Sequence, residues 1–241
     1  MYNKTFRGGV HPDDGKSFAR DIPFQTWLPK GDMVFHLNQH IGKPAKPVVQ
    51  KGDQVLAGQL IAEADGFVSA NIVSSCSGKV KAIEKRKNVL GTSDMSIVIE
   101  NDGQYTLAEG IGTEVDYTTL TGPEILDKVK AAGIVGLGGA GFPTHVKLAP
   151  KNPNDIRFVI ANGAECEPYI CCDDQLMRNY ADEIVGGMKI MLTLFPNAEG
   201  VILIEENKPE AIAAMEKACS GESNIRVHRV VPKYPQGGER A

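Results

Sequence analysis

Two stretches concentrate residues whose types and spacing could do chemistry. The first, GIVGLGGAGFPTHVK at 133–147, holds five glycines between Gly133 and Gly141 and ends in a lysine. Glycines let main-chain N–H groups approach an anion or a flat ring at contact distance, and successive N–H groups make an anion-binding nest. A flexible linker would be polar, whereas this run contains Ile134, Val135, Leu137 and Phe142. Lys147 adds a point charge suited to phosphate. The spacing fits neither the phosphate loop, where lysine directly follows the last glycine, nor a GxGxxG opening straight from a strand. The second stretch, IANGAECEPYICCDD at 160–174, puts Asn162, Glu165 and Glu167 directly after a β-rich run. Open α/β sheets bind ligands at the carboxyl ends of their strands, so an amide and two carboxylates there are expected to orient a ligand and shape its electrostatics. Cys166, Cys171 and Cys172 lack the Cys-x2-Cys spacing of a cluster-binding run and are read as small thiols beside the site. The five histidines show no metal spacing, so no metal site is expected.

The elements that must position these residues follow two grammars. Up to about residue 115 the chain is a series of short β-prone pieces. They are punctuated by Gly52-Asp53, Asp65-Gly66, Ser77-Gly78 and Asp102-Gly103, turn dipeptides spaced for hairpins. Beyond that, Thr121-Gly-Pro-Glu124 opens a helix with a capping box, Ile125, Leu126, Val129 and Ala132 ride on it, and Gly133 stops it. Strands are predicted at 156–163, 200–207 and 224–231, and helices at about 182–195 and at 209–219. Such alternation implies a mostly parallel sheet covered on both faces. Glu205-Glu206-Asn207-Lys208, closing the second strand, reads as a cap or as a ligand wall. The divisions are an N-terminal extension (1–30), a β module (31–115) and an α/β domain (116–241).

Composition narrows the class. A 241-residue chain with net charge −4 and 42% hydrophobic residues has enough core to fold without staples. No basic stripe suits nucleic acid, and no apolar run approaches the roughly 18 residues of a membrane span. Five irregularly spaced cysteines argue for a reducing compartment.

The β half, GDQVLAGQLIAEADG followed by IVSSCSGKV, resembles the biotinyl/lipoyl barrel-sandwich hybrid. Carrier versions bear a lysine at the hairpin tip; here the tip reads Glu63-Ala64-Asp65-Gly66, so Gly66 replaces the acceptor and a packing or docking module is expected. The glycine run together with ANGAECEPY resembles the flavin-binding subunit of respiratory complex I. The segments TFRGGVHP, LNQHIGKPAKPVVQKGD, IEENKPEA and YPQGGER further resemble the C subunit of the Rnf complex, which passes electrons between NADH and ferredoxin. The fold class implied is an α+β chain in two parts: a barrel-sandwich hybrid, then a Rossmann-like three-layer α/β domain.

The resemblance carries a site with it. Gly136, Gly138, Gly139 and Gly141 match a loop whose backbone contacts flavin mononucleotide (FMN) and the incoming NADH. Phe142 matches a stacking aromatic, and Lys147 a lysine near the flavin. Asn162, Glu165 and Glu167 match a polar cluster at the flavin edge, while Tyr234, Gly237 and Glu239 match the far wall. Ala164, Val135 and Leu137 depart from the complex I pattern. The implied setting is the cytoplasmic side of a bacterial membrane, peripheral through partner subunits, with ferredoxin reached indirectly. Family members continue past the motif that ends this chain, into a part with two 4Fe–4S clusters. The chain is therefore expected to be an N-terminal portion, inactive alone and free of clusters. The rival readings are a related soluble flavoprotein such as a cobalamin reductase, and a non-catalytic docking module.

Overall fold

The computed structural model describes residues 6–137, 139 and 141–238. Contacts divide the chain into two compact units: Trp27–Lys151, and the residues up to Thr26 together with those from Asn152 onward. The division differs from the sequence boundaries at 30 and 115. The N-terminal arm belongs with the α/β part, and the helix and glycine-rich loop belong with the β module.

In the Trp27–Lys151 unit, β1 (Asp32–His36), β3 (Gln54–Val55), β6 (Gly78–Lys87) and β7 (Ser93–Asn101) form an antiparallel sheet in the order β1-β7-β6-β3. A second sheet joins β2 (Lys46–Pro47), β4 (Leu60–Glu63) and β5 (Ile72–Val73) in the order β2-β4-β5. Side chains from both sheets, among them Phe35, Val55, Ile61, Ile72, Val80, Ile97 and Ile99, make one core. Each fully buried aliphatic side chain contributes about 1.5–3 kcal/mol. Helix α1 (Gly122–Ala131) begins as the sequence predicts: the Glu124 carboxylate accepts from the Thr121 main-chain N–H at 2.7 Å and from its hydroxyl at 2.6 Å. Gly133 ends it at φ +66°. The short α2 (Thr144–Lys147) follows the glycine-rich loop.

In the other unit, β8 (Phe158–Gly163), β9 (Glu199–Glu205) and β10 (Ile225–Val230) form a parallel sheet in the order β10-β9-β8. Helices α3 (Cys172–Asn179), α4 (Ala181–Leu192) and α5 (Pro209–Ala218) complete it. All three helices lie on one face. A Cβ on Gly163 would meet Met177 of α3 at 2.8 Å, and one on Gly200 would meet Met188 of α4 at 2.9 Å. From the same face Arg229 reaches Glu216 of α5 at 2.6 Å. On the opposite face Phe158 and Ile160 are exposed, so the second helical layer expected from the alternation is absent among the described residues. The predicted β9, β10, α4 and α5 each fall within a few residues of the observed spans, whereas the sequence reading has no counterpart for α3. Its composition, CDDQLMRN, is too polar to announce a helix.

Candidate functional site

At the carboxyl end of the parallel sheet, β8 delivers the chain into residues 163–171, and two buried lysines fix that segment. Lys16, from the N-terminal arm, is 1% exposed; its ammonium donates to the Glu167 carbonyl at 3.0 Å and the Ile170 carbonyl at 2.5 Å. It also pairs with the Glu165 carboxylate at 3.9 Å. Lys208, likewise 1% exposed, donates to the Ala164 carbonyl at 2.6 Å, to Asn207 at 3.0 Å and to Glu205 at 3.3 Å. The other Glu205 oxygen accepts from the Lys233 main-chain N–H at 3.0 Å. Burial pushes the Lys208 ammonium below its ordinary range, against the pull of Glu205.

Glu165 turns inward. At φ +49° its backbone brings the carboxylate onto the start of α3, where it accepts from the Asp173 and Asp174 N–H groups at 2.6 and 3.3 Å. A carboxylate at a helix N-terminus satisfies orphan donors and opposes the dipole. Burial nevertheless raises its pKa, and burial raises that of the Asp173 carboxyl too. The Cys172 thiol lies close to both: ligand atoms of Glu165, Cys172 and Asp173 fall within 4.8 Å of one another. Burial pushes that thiol up as well, favouring its protonated form. With both Glu165 oxygens held by α3, the group serves as an internal cap. Cys171 is buried and its thiol donates to the Lys16 carbonyl at 3.5 Å.

Asn162 and Glu167 stay exposed. The Asn162 amide donates to the Gly237 carbonyl at 3.1 Å and accepts from the Ala164 N–H at 3.2 Å. Gly237 sits at φ +81°, and a Cβ there would collide with Asn162 at 2.5 Å. Tyr234 pairs its backbone with Val10 of the arm. The structure thus brings Asn162 and Gly237 together, while the Glu165 side chain is buried against α3 and Lys16; Glu239 lies outside the described residues.

The glycine-rich loop belongs to the other unit. Its neck is a two-stranded ladder: the Gly136 N–H donates to Phe142 at 2.9 Å, the Thr144 N–H donates to Ile134 at 3.0 Å, and Val135 bridges Pro143. The predicted glycines divide by role. Gly141 needs φ +62°, and a Cβ on it would lie 3.1 Å from the Gln39 carbonyl. Among the described residues, a Cβ at Gly139 would meet nothing within 4 Å, and one at Gly136 only the Phe142 backbone at 3.8 Å or more. Gly138 lies outside the described residues. Phe142 is 37% exposed and Lys147 is exposed on α2. Sequence reasoning missed Lys16, whose carbonyl partners Glu167 and Ile170 lie far along the chain, where no local pattern signals them, and it missed Asp173, whose N–H meets Glu165 across a turn.

With this geometry in hand, comparison with known proteins defines the class. Residues 4–104 match the family model described as the RnfC barrel sandwich hybrid domain, and residues 129–241 match the Nuo51 FMN-binding domain. The chain is a barrel-sandwich hybrid joined to an FMN-binding domain of the Nuo51 kind. It belongs to the family of Rnf complex C subunits. It is 46% identical, over 98% of its length, to the C subunit of the proton-translocating ferredoxin:NAD(+) oxidoreductase complex of Clostridium ljungdahlii, covering 52% of that protein. It is 41% identical over 98% to the Na(+)-translocating counterpart of Acetobacterium woodii, covering 53%. It is 38% identical over 98% to the C subunit of the ion-translocating oxidoreductase complex of Haemophilus influenzae, covering 36%. The chain spans about half the length of the first two relatives. Among the described residues no helix is long and apolar enough to cross a membrane.

Proposed function

We infer that this chain is the NADH-facing, FMN-binding part of an electron-transport complex subunit that works between NADH and ferredoxin. The 4Fe–4S clusters would lie outside it, and the partner subunits would hold it at the cytoplasmic side of the membrane. FMN, when bound, supplies the chemistry that accepts a hydride and releases single electrons. This chain's residues would bind and orient. Gly136 and Gly139 would give backbone access to the ring, Phe142 would stack, and Lys147 would offer positive charge. Asn162, held by Gly237, would present its amide at a strand end. Gly138, Glu167, Tyr234 and Glu239 are assigned to the same work by resemblance.

The observation that carries this reading is the division within the loop. Its neck is pinned by a ladder while, among the described residues, nothing fills the space over Gly139, which suits a loop built to meet a ligand.

The test is to measure FMN affinity and thermal midpoint together in the full-length subunit. Gly139→Ala is expected to keep the midpoint and weaken FMN binding about tenfold or more, because its Cβ meets only the ligand. Gly141→Ala is expected to lower the midpoint as well, costing about 1–3 kcal/mol for an L residue at positive φ. Wild-type FMN affinity in folded Gly139→Ala and Lys147→Ala would leave the docking-module reading in its place.

A further inference from the structure

The barrel carries Gly66 where a carrier domain bears its lysine, yet the hairpin around that position is firmly tied. The Asn71 side chain closes it by accepting from the Ala64 N–H at 2.9 Å. The neighbouring loop meets it through His40, which is 5% exposed. His40 Nε2 accepts from the Ala70 N–H at 3.3 Å, and Nδ1 donates to the Ile41 carbonyl at 3.1 Å. One buried imidazole therefore ties residues 39–42 to the hairpin. A second close approach supports the tie, since a Cβ on Gly42 would come within 2.1 Å of the Val68 carbonyl.

The glycine-rich loop rests on this joined pair at both of its ends. Where it begins, a Cβ on Gly133 would come within 2.4 Å of the Asn71 carbonyl, and the Asn71 amide reaches the Ala131 carbonyl at 3.5 Å. Where it returns, a Cβ on Gly141 would lie 3.1 Å from the Gln39 carbonyl and from His40 Cα. Both glycines hold positive φ, so the two turns that aim the loop are each set against barrel backbone. We propose that the barrel-sandwich module is a brace for the cofactor loop, with His40 and Asn71 as positioning residues that fix its entry and exit. The hairpin that displays a prosthetic group in carrier domains here supports a loop that receives one.

This rests on the reading of the loop as the flavin site, and the test separates the two. In the cofactor-free full-length subunit, hydrogen exchange is followed at the Gly136 and Thr144 amides of the neck, and FMN affinity is measured in parallel. His40→Ala and Asn71→Ala are expected to speed exchange there and weaken FMN binding, each about tenfold. His40→Gln, which keeps an acceptor for Ala70, is expected to restore both. Ile97→Val, in the barrel core, lowers the midpoint without touching either support and is expected to change neither. Unchanged neck exchange in folded His40→Ala and Asn71→Ala overturns the brace even where Gly139→Ala abolishes FMN binding. An equal effect from Ile97→Val at a matched midpoint also overturns it. Faster exchange with wild-type FMN affinity overturns the cofactor role and the flavin reading together.

Discussion

Lys16 and Lys208 are the least expected residues of the molecule. A lysine is almost never fully buried without partners, and each of these spends its protons on backbone carbonyls of residues 164–170 as well as on a carboxylate. Removing one leaves buried acceptors and a carboxylate uncompensated, so Lys16→Met and Lys208→Met should each cost about 3–5 kcal/mol in denaturant unfolding. The exposed Lys43–Asp65 pair is the control: at 61% and 47% side-chain exposure, its loss should leave the unfolding midpoint where it is. Glu165 and Asp173 lead to a prediction about pH. Burial raises both above their ordinary values of 4.5 and 3.8, so the folded protein holds these protons more tightly than the unfolded chain. Their contribution to stability is full below about pH 4 and is lost as pH rises through the folded values. The midpoint advantage of wild type over Glu165→Gln should therefore shrink as pH climbs from about 4.5 toward 7. A pH-independent difference in calorimetry would show that Lys16 and the α3 N–H groups cancel the burial.

The element that most changes the reading of the molecule is the N-terminal arm. It looks like a loose extension in sequence, a run of Gly, Asp and Pro with no periodicity. In the structure it threads the α/β unit. The Lys16 ammonium enters the core, and the Tyr169 N–H donates to Asp14 at 2.7 Å. Phe18 stacks on Tyr169 at 6.2 Å, and Gln175 and Arg178 of α3 both donate to the Arg20 carbonyl. Deleting residues 1–26 from the full-length subunit should abolish the thermal transition of the α/β unit and leave exchange protection in β6 and β7 intact. Loss of both together would mean that the two units unfold as one.

Over the whole molecule, the regular elements other than the polar α3 were legible where they are written locally. The capping box of α1, the glycine that ends it and the β-branched runs of β8 to β10 each declare themselves within a dozen residues. The polar cluster after β8 was legible only as composition. Asn162, Glu165 and Glu167 read alike in sequence, and the structure separates an exposed amide and carboxylate from a buried cap because distant Lys16 supplies the counter-charge. The assignment of α1 and the glycine-rich loop to the barrel unit was not legible at all, since it depends on Gly133 and Gly141 meeting backbone at Asn71 and Gln39, far earlier in the chain. That same long-range architecture orders events during synthesis. The α/β unit is interrupted in sequence, with Trp27–Lys151 inserted between its arm and its sheet. On a ribosome adding about 5–20 residues per second, the arm emerges first and must wait through the whole inserted segment before its sheet exists. The barrel can complete itself during that interval. A folded insert leaves far less free chain to close than an unfolded one, so the waiting arm reaches the strands that will bury Lys16 at a lower cost in entropy.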